Sequence, residues 1–150
     1  MEIKKNASFM VDHRRFGAGL YISRIDGDIT TYDMRTRKPN GGDYMDNVTM
    51  HTFEHMFSTL IRNSDLEVIY FGPMGCATGF YLLVRNADND RVLNCIKAAL
   101  SAIISYEGEV FGASEIECGN YRTLSLDTAK KEAQQYLDVL CQGVIDYKYY

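Results

Sequence analysis

His51, Glu54 and His55 stand together in "HTFEH", and two of the chain's three histidines are therefore four residues apart. A helix turns about 100° per residue, so imidazoles at this spacing share one face and can grip one divalent cation. HxxEH is a known metal-binding pattern in which the glutamate stays free to act as acid or base. The same five residues also suit a plain helix with two solvated or hydrogen-bonded histidines, so the supply of further ligands decides. Cys118, in "EIECGNY", lies between a Gly-containing turn and another glycine, a setting that leaves a side chain accessible. Its thiolate would complete a His2Cys set, and three protein ligands leave a coordination position open, as in catalytic sites. Cys76, in "GPMGCA", then separates the outcomes. As a fourth ligand it would close the site into a Cys2His2 zinc module for protein interaction. Left free, it is a thiol near a cation, whose charge favours the thiolate. A metallopeptidase of the HxxEH type would instead take Glu115 or Glu117 as third ligand and leave Cys76 idle.

Positioning these groups requires a helix, two hairpins and a loop. "GLYISRI" and "ITTYDMR" alternate apolar and polar residues around "DGD", the pattern of a tight β-hairpin. "TRKPNGGDYMDN" reads as a loop delivering the chain to a helix that Asp46 or Asn47 can cap and that ends near Arg62. Its apolar arc of Phe53, Met56, Phe57, Leu60 and Ile61 would pack on a sheet, turning the histidine face away from the chain's own core. "LEVIYF" and "TGFYLLV" read as two strands joined at the bend that carries Cys76. A second helix follows Asp88, and a third follows Ser125 or Asp127 and ends at Gly143. Cys95 and Cys141 fall on or beside the apolar stripes of these helices and read as packing residues. The order of elements predicts an α+β fold, a single domain over residues 1–150 with a mainly antiparallel β-sheet packed against α-helices.

Composition narrows the function classes. The chain is 46% hydrophobic and 24% charged, the balance of a folded globular protein. A net charge of -4 argues against a broad electrostatic hold on nucleic acid. The N-terminal stretch has no apolar core of secretory length and no segment is apolar enough for a membrane span, so a cytoplasmic address with no membrane partner is expected. Four widely spaced cysteines would there be thiols.

The chain resembles the S-ribosylhomocysteine lyase (LuxS) family, which makes the autoinducer-2 precursor. The likeness rests on "SFMVDH", "MRTRKPN", "HTFEHMFST", "FGPMGCATGFYL" and "ECGNY", which follow in this order between residues 8 and 121. It implies that His51, His55 and Cys118 are metal ligands, that Glu54 is general base and acid, and that Cys76 is the second catalytic residue. Ser8, His13 and Arg35 correspond to substrate-contacting positions, and Arg37 could share the role of Arg35. The implied cofactor is one divalent metal per subunit, ferrous iron (Fe2+) first, with zinc (Zn2+) or cobalt (Co2+) able to replace it. The implied partners are S-ribosyl-L-homocysteine and a second copy of the chain, in a homodimer whose active site lies at the subunit interface. The implied reaction moves a carbonyl twice along the ribose through enediolates and then eliminates homocysteine. The chain departs from the family pattern at Tyr70, where many relatives carry aspartate, and at Ala77, often Arg or Gln.

Overall fold

In the computed structural model, which describes residues 1–148, alternating side chains draw Gly19–Asp26 (β1) and Ile29–Arg35 (β2) into the expected antiparallel hairpin. Glu67–Pro73 (β3) and Gly79–Arg85 (β4) form a second antiparallel pair, and β4 also pairs antiparallel with β2. Ile145–Asp146 (β5) runs parallel to β1 and closes the sheet order β3-β4-β2-β1-β5. The sheet is mixed but mostly antiparallel, and with its three helices the arrangement is α+β, as expected. At Gly79, paired with Arg35, β4 begins hard against β2: a Cβ there would lie 2.6 Å from the Met34 carbonyl oxygen.

Asn47–Arg62 (α1) starts at Asp46, whose carboxylate accepts from the Thr49 amide at 2.7 Å. Asn89–Ser105 (α2) starts at Asp88 in the same manner, through the Arg91 amide at 2.9 Å. Leu126–Cys141 (α3) follows Ser125, whose side chain makes no capping bond. Instead the Ser125 amide donates to the buried Thr52 hydroxyl at 2.9 Å, which ties the start of α3 to the middle of α1.

The apolar arc of α1 lies on β3 and β4 through four phenylalanines. Phe53 meets Phe80 at 4.7 Å between ring centroids, Phe57 meets Phe71 at 4.7 Å, and Phe71 meets Phe80 at 5.1 Å. All four are buried, and each such ring contributes roughly 1.5–3 kcal/mol by leaving water. This packing fixes the rotation of α1 and hence where its histidines face. Leu60, expected in the same arc, is only partly buried against that core.

The cysteines depart from expectation at one position. All four are free thiols, and Cys95 is partly buried against the core. Cys141, expected as a packing residue, is exposed. The buried stripe of α3 runs through Ala133, Tyr136 and Leu140, and one further residue rotates Cys141 about 100° off that stripe.

Candidate metal centre and active site

Burying Phe53 and Phe57 beneath α1 turns His51, Glu54 and His55 to its other side, where all three are partly buried. That side is partly covered, with the Glu54 side chain still 33% exposed. The connection between α2 and α3 folds over it, and Cys118 from this connection reaches His51, with Sγ 3.4 Å from Nε2. The two imidazole rings stand nearly perpendicular, 4.6 Å apart. Ligand atoms of His51, His55 and Cys118 all lie within 4.8 Å of one another. Two imidazole nitrogens and one sulfur suit a divalent transition metal, and three donors leave a position open. Among the described residues the cluster holds no carboxylate and does not include Cys76. Glu117 accepts instead from the Ser114 hydroxyl at 2.6 Å.

Hydrogen bonds assign the imidazole tautomers. His55 Nδ1 lies 2.8 Å from the Phe111 carbonyl oxygen, which can only accept, so Nδ1 carries a hydrogen and Nε2 is the ring nitrogen whose lone pair a cation would take. His51 Nδ1 lies 2.8 Å from the Thr123 hydroxyl, and that hydroxyl donates to the Asn120 carbonyl at 3.1 Å. Its oxygen therefore accepts from His51 Nδ1–H, and Nε2 is the nitrogen that faces the cluster. The Asn120 amide donates to Cys118 Sγ at 3.4 Å. Glu54 brings a carboxylate oxygen within 3.9 Å of His55 Nε2, beside the nitrogen that would bind a cation. Gly112 completes the support: its φ is +70°, and a Cβ there would press on His55 Nδ1 at 3.2 Å. Thr123, Phe111 and Gly112 carry no motif, and the connection they occupy has no periodicity, so sequence reasoning does not find them.

Cys76 and Arg35 meet in a second group where the β3–β4 bend passes the end of β2. Cys76 is exposed; Arg35 is 2% exposed and forks onto the fully buried Asp33, at 3.1 Å through Nε and 2.6 Å through Nη2. Arg35 Nη1 donates to the Thr78 hydroxyl at 2.7 Å and lies 3.8 Å from Cys76 Sγ. The neighbouring Tyr81 hydroxyl is pushed up from its ordinary pKa, first by burial and then by the Asp33 charge, so it stays a neutral phenol. Ala77 takes the left-handed region with φ 62°, which lets the bend aim the Cys76 side chain outward. Arg37 binds elsewhere, bridging the buried Glu132 of α3 and the exposed Asp43.

Ser8 and His13 lie in the N-terminal segment and are not in the His51, His55 and Cys118 cluster. The Ser8 hydroxyl donates to Asn6 Oδ1 at 3.2 Å, and His13 Nδ1 lies 2.9 Å from the Val11 carbonyl oxygen. Phe16 links this segment to the second group: its ring lies 5.6 Å from that of His13, tilted by 47°, and takes the Arg35 guanidinium over its face at 5.2 Å. Ser8 lines a cleft of about 300 Å³ with Thr31, Tyr70, Tyr81 and Leu83, on the sheet face that the helices leave uncovered. Tyr70, the departure noted in the sequence, thus shares a cleft with Ser8.

Comparison with known proteins places this geometry in a family context. The profile of S-Ribosylhomocysteinase (LuxS) matches residues 6–144. An S-ribosylhomocysteine lyase of Borreliella afzelii is 40% identical over 146 residues, covering 92% of this chain and 93% of that protein. Proteins of the same name from Finegoldia magna and Clostridium acetobutylicum are 41% and 37% identical, covering 92% and 97% of this chain and 92% and 99% of their own lengths.

Proposed function

The chain belongs to the S-ribosylhomocysteinase (LuxS) family, and we propose that it is a metal-dependent lyase splitting S-ribosyl-L-homocysteine into L-homocysteine and the autoinducer-2 precursor. The observation that carries the reading is the His51, His55 and Cys118 cluster, with ligand atoms within 4.8 Å and no carboxylate among them. That donor set favours an open lyase site over a peptidase-type set or a closed zinc module.

One divalent metal per subunit, ferrous iron first, would be held by His51, His55 and Cys118. When bound it would supply Lewis acidity, stabilising negative charge that develops on the sugar oxygens. The remaining work falls to the chain's own side chains. Cys76 carries protons between neighbouring ribose carbons as the carbonyl moves in two enediolate steps. Glu54, beside His55 Nε2, exchanges protons with the sugar oxygens and assists β-elimination of the homocysteine thiol. Arg35 contributes through its charge, since its fork is engaged with Asp33 and its Nη1 with Thr78, 3.8 Å from Cys76 Sγ. Ser8 and His13 contact substrate from the N-terminal segment. Within one chain their hydrogen bonds stay inside the N-terminal segment, Ser8 to Asn6 and His13 to Val11, which supports a homodimer in which one protomer's N-terminal segment completes the partner's site. Residues 1–150 act as one lyase domain, supported by the match over residues 6–144, in the cytoplasm. No helix among the described residues is long and apolar enough to cross a membrane.

The test is anaerobic incubation of metal-loaded protein with S-ribosylhomocysteine while free thiol is titrated. Stoichiometric thiol release is expected. Cys76→Ala should retain its metal and lose turnover by on the order of 10²–10⁴-fold, the share of a general acid–base group. Loaded wild-type protein that releases no thiol overturns the lyase reading, and a fully active Cys76→Ala overturns the role of Cys76.

A further inference from the structure

Thr78 sits between the buried ion pair and the exposed thiol. Its side chain is buried, 2% exposed, and its hydroxyl oxygen lies 2.7 Å from Arg35 Nη1 and 3.1 Å from Cys76 Sγ. A guanidinium can only donate, so the oxygen accepts on the Arg35 side. The one hydroxyl hydrogen is then free for the sulfur, and a thiol is a weak donor in return. The hydroxyl is also closer to Sγ than the guanidinium, which lies at 3.8 Å.

We propose that Thr78 is a positioning residue for the reaction: held by Arg35, its hydroxyl donates to Cys76 Sγ, fixes the rotamer of that side chain and stabilises its thiolate. The proposal rests on the reading of Cys76 as the proton carrier and extends it to a residue that touches no substrate. The chain of contacts runs from the Asp33 carboxylate through the Arg35 fork to the Thr78 oxygen and on to sulfur. Each link orients the next, because a bidentate fork on a fully buried carboxylate leaves Nη1 little freedom. The Thr78 carbonyl accepts from the Thr36 and Arg37 amides at 3.0 and 2.9 Å, and these main-chain bonds survive any side chain at the position.

The test compares Thr78→Val, which keeps the branched shape without the hydroxyl, with Thr78→Ser, which keeps the hydroxyl. Thr78→Ala replaces the valine variant should that not fold, as judged by thermal melting and metal content. Iodoacetamide labelling is followed by peptide mass spectrometry at Cys76, with the exposed Cys141 as reference within the same molecule. Thr78→Val should slow Cys76 labelling at neutral pH about tenfold, the scale of one hydrogen bond to a charged group, and move the labelling profile to higher pH. Thr78→Ser should recover most of the rate. In turnover, the valine variant should lose kcat and keep KM. A folded valine or alanine variant that labels at the wild-type rate overturns the proposal, as does a serine variant as slow as valine. Wild-type protein that labels normally yet releases no homocysteine would sink the lyase reading, while the labelling comparison would still decide the role of Thr78.

Discussion

Two hydrogen bonds decide which nitrogen of each imidazole faces the cluster, and both come from the connection between α2 and α3. Thr123 and the Phe111 carbonyl hold the Nδ1 atoms of His51 and His55, and such outer contacts typically change metal affinity by about 10–100-fold. Thr123→Val should therefore weaken metal binding by about that factor, measured by competition with a chromophoric chelator, while the three ligands remain. An unchanged affinity would mean that the His51 ring is oriented by packing alone. The residues of the cluster were legible because chemistry restricts them: paired imidazoles at helical spacing and a cysteine between glycines leave few readings. Their supports were not. A threonine hydroxyl, a carbonyl and Gly112 at φ +70° belong to a segment without periodicity, and any residue offers a carbonyl. Thr78 was equally silent, since its meaning depends on Arg35, which is far from it in sequence.

At the scale of elements, α1 carries both histidines and Glu54, and its first turn is set by Asp46. Hydrogen bonds from the Thr49 hydroxyl and amide hold the Asp46 carboxyl below the usual carboxylate range. A folded-state pKa below the unfolded one means stabilisation fully present above about 3.9, the ordinary aspartate value, and lost as pH falls through the folded pKa. Asp46→Ala should cost about 1 kcal/mol at neutral pH, and Asp46→Asn much less. In denaturant melts the gap between Asp46→Ala and wild type should narrow as the pH drops below that range. A gap independent of pH would show that the carboxylate charge contributes nothing to the cap. The helices and hairpins were readable from caps and periodicity, because burial on one face imposes a spacing. β5 was not, since two residues cannot show a period. Cys141 misled because its neighbour Leu140 is the last residue of the buried stripe.

The whole molecule sets the His51, His55 and Cys118 cluster across two distant parts of the chain. His51 lies in α1 and Cys118 is 67 residues further on, in a connection without helix or strand. A cation shared by the two would act as a reversible cross-link, and linking remote positions restricts the unfolded chain. Chelator-treated protein should be cut by trypsin at the exposed Arg122 faster than loaded protein, read from the rate of fragment appearance on a gel. Equal rates would mean that the connection is held by its hydrogen bonds to α1 without help from a cation. A connection pinned in this way would also tie catalytic competence to survival. Copies that never acquire their ion would be the first degraded, so a cell short of metal would carry a smaller stock of this protein and few idle molecules.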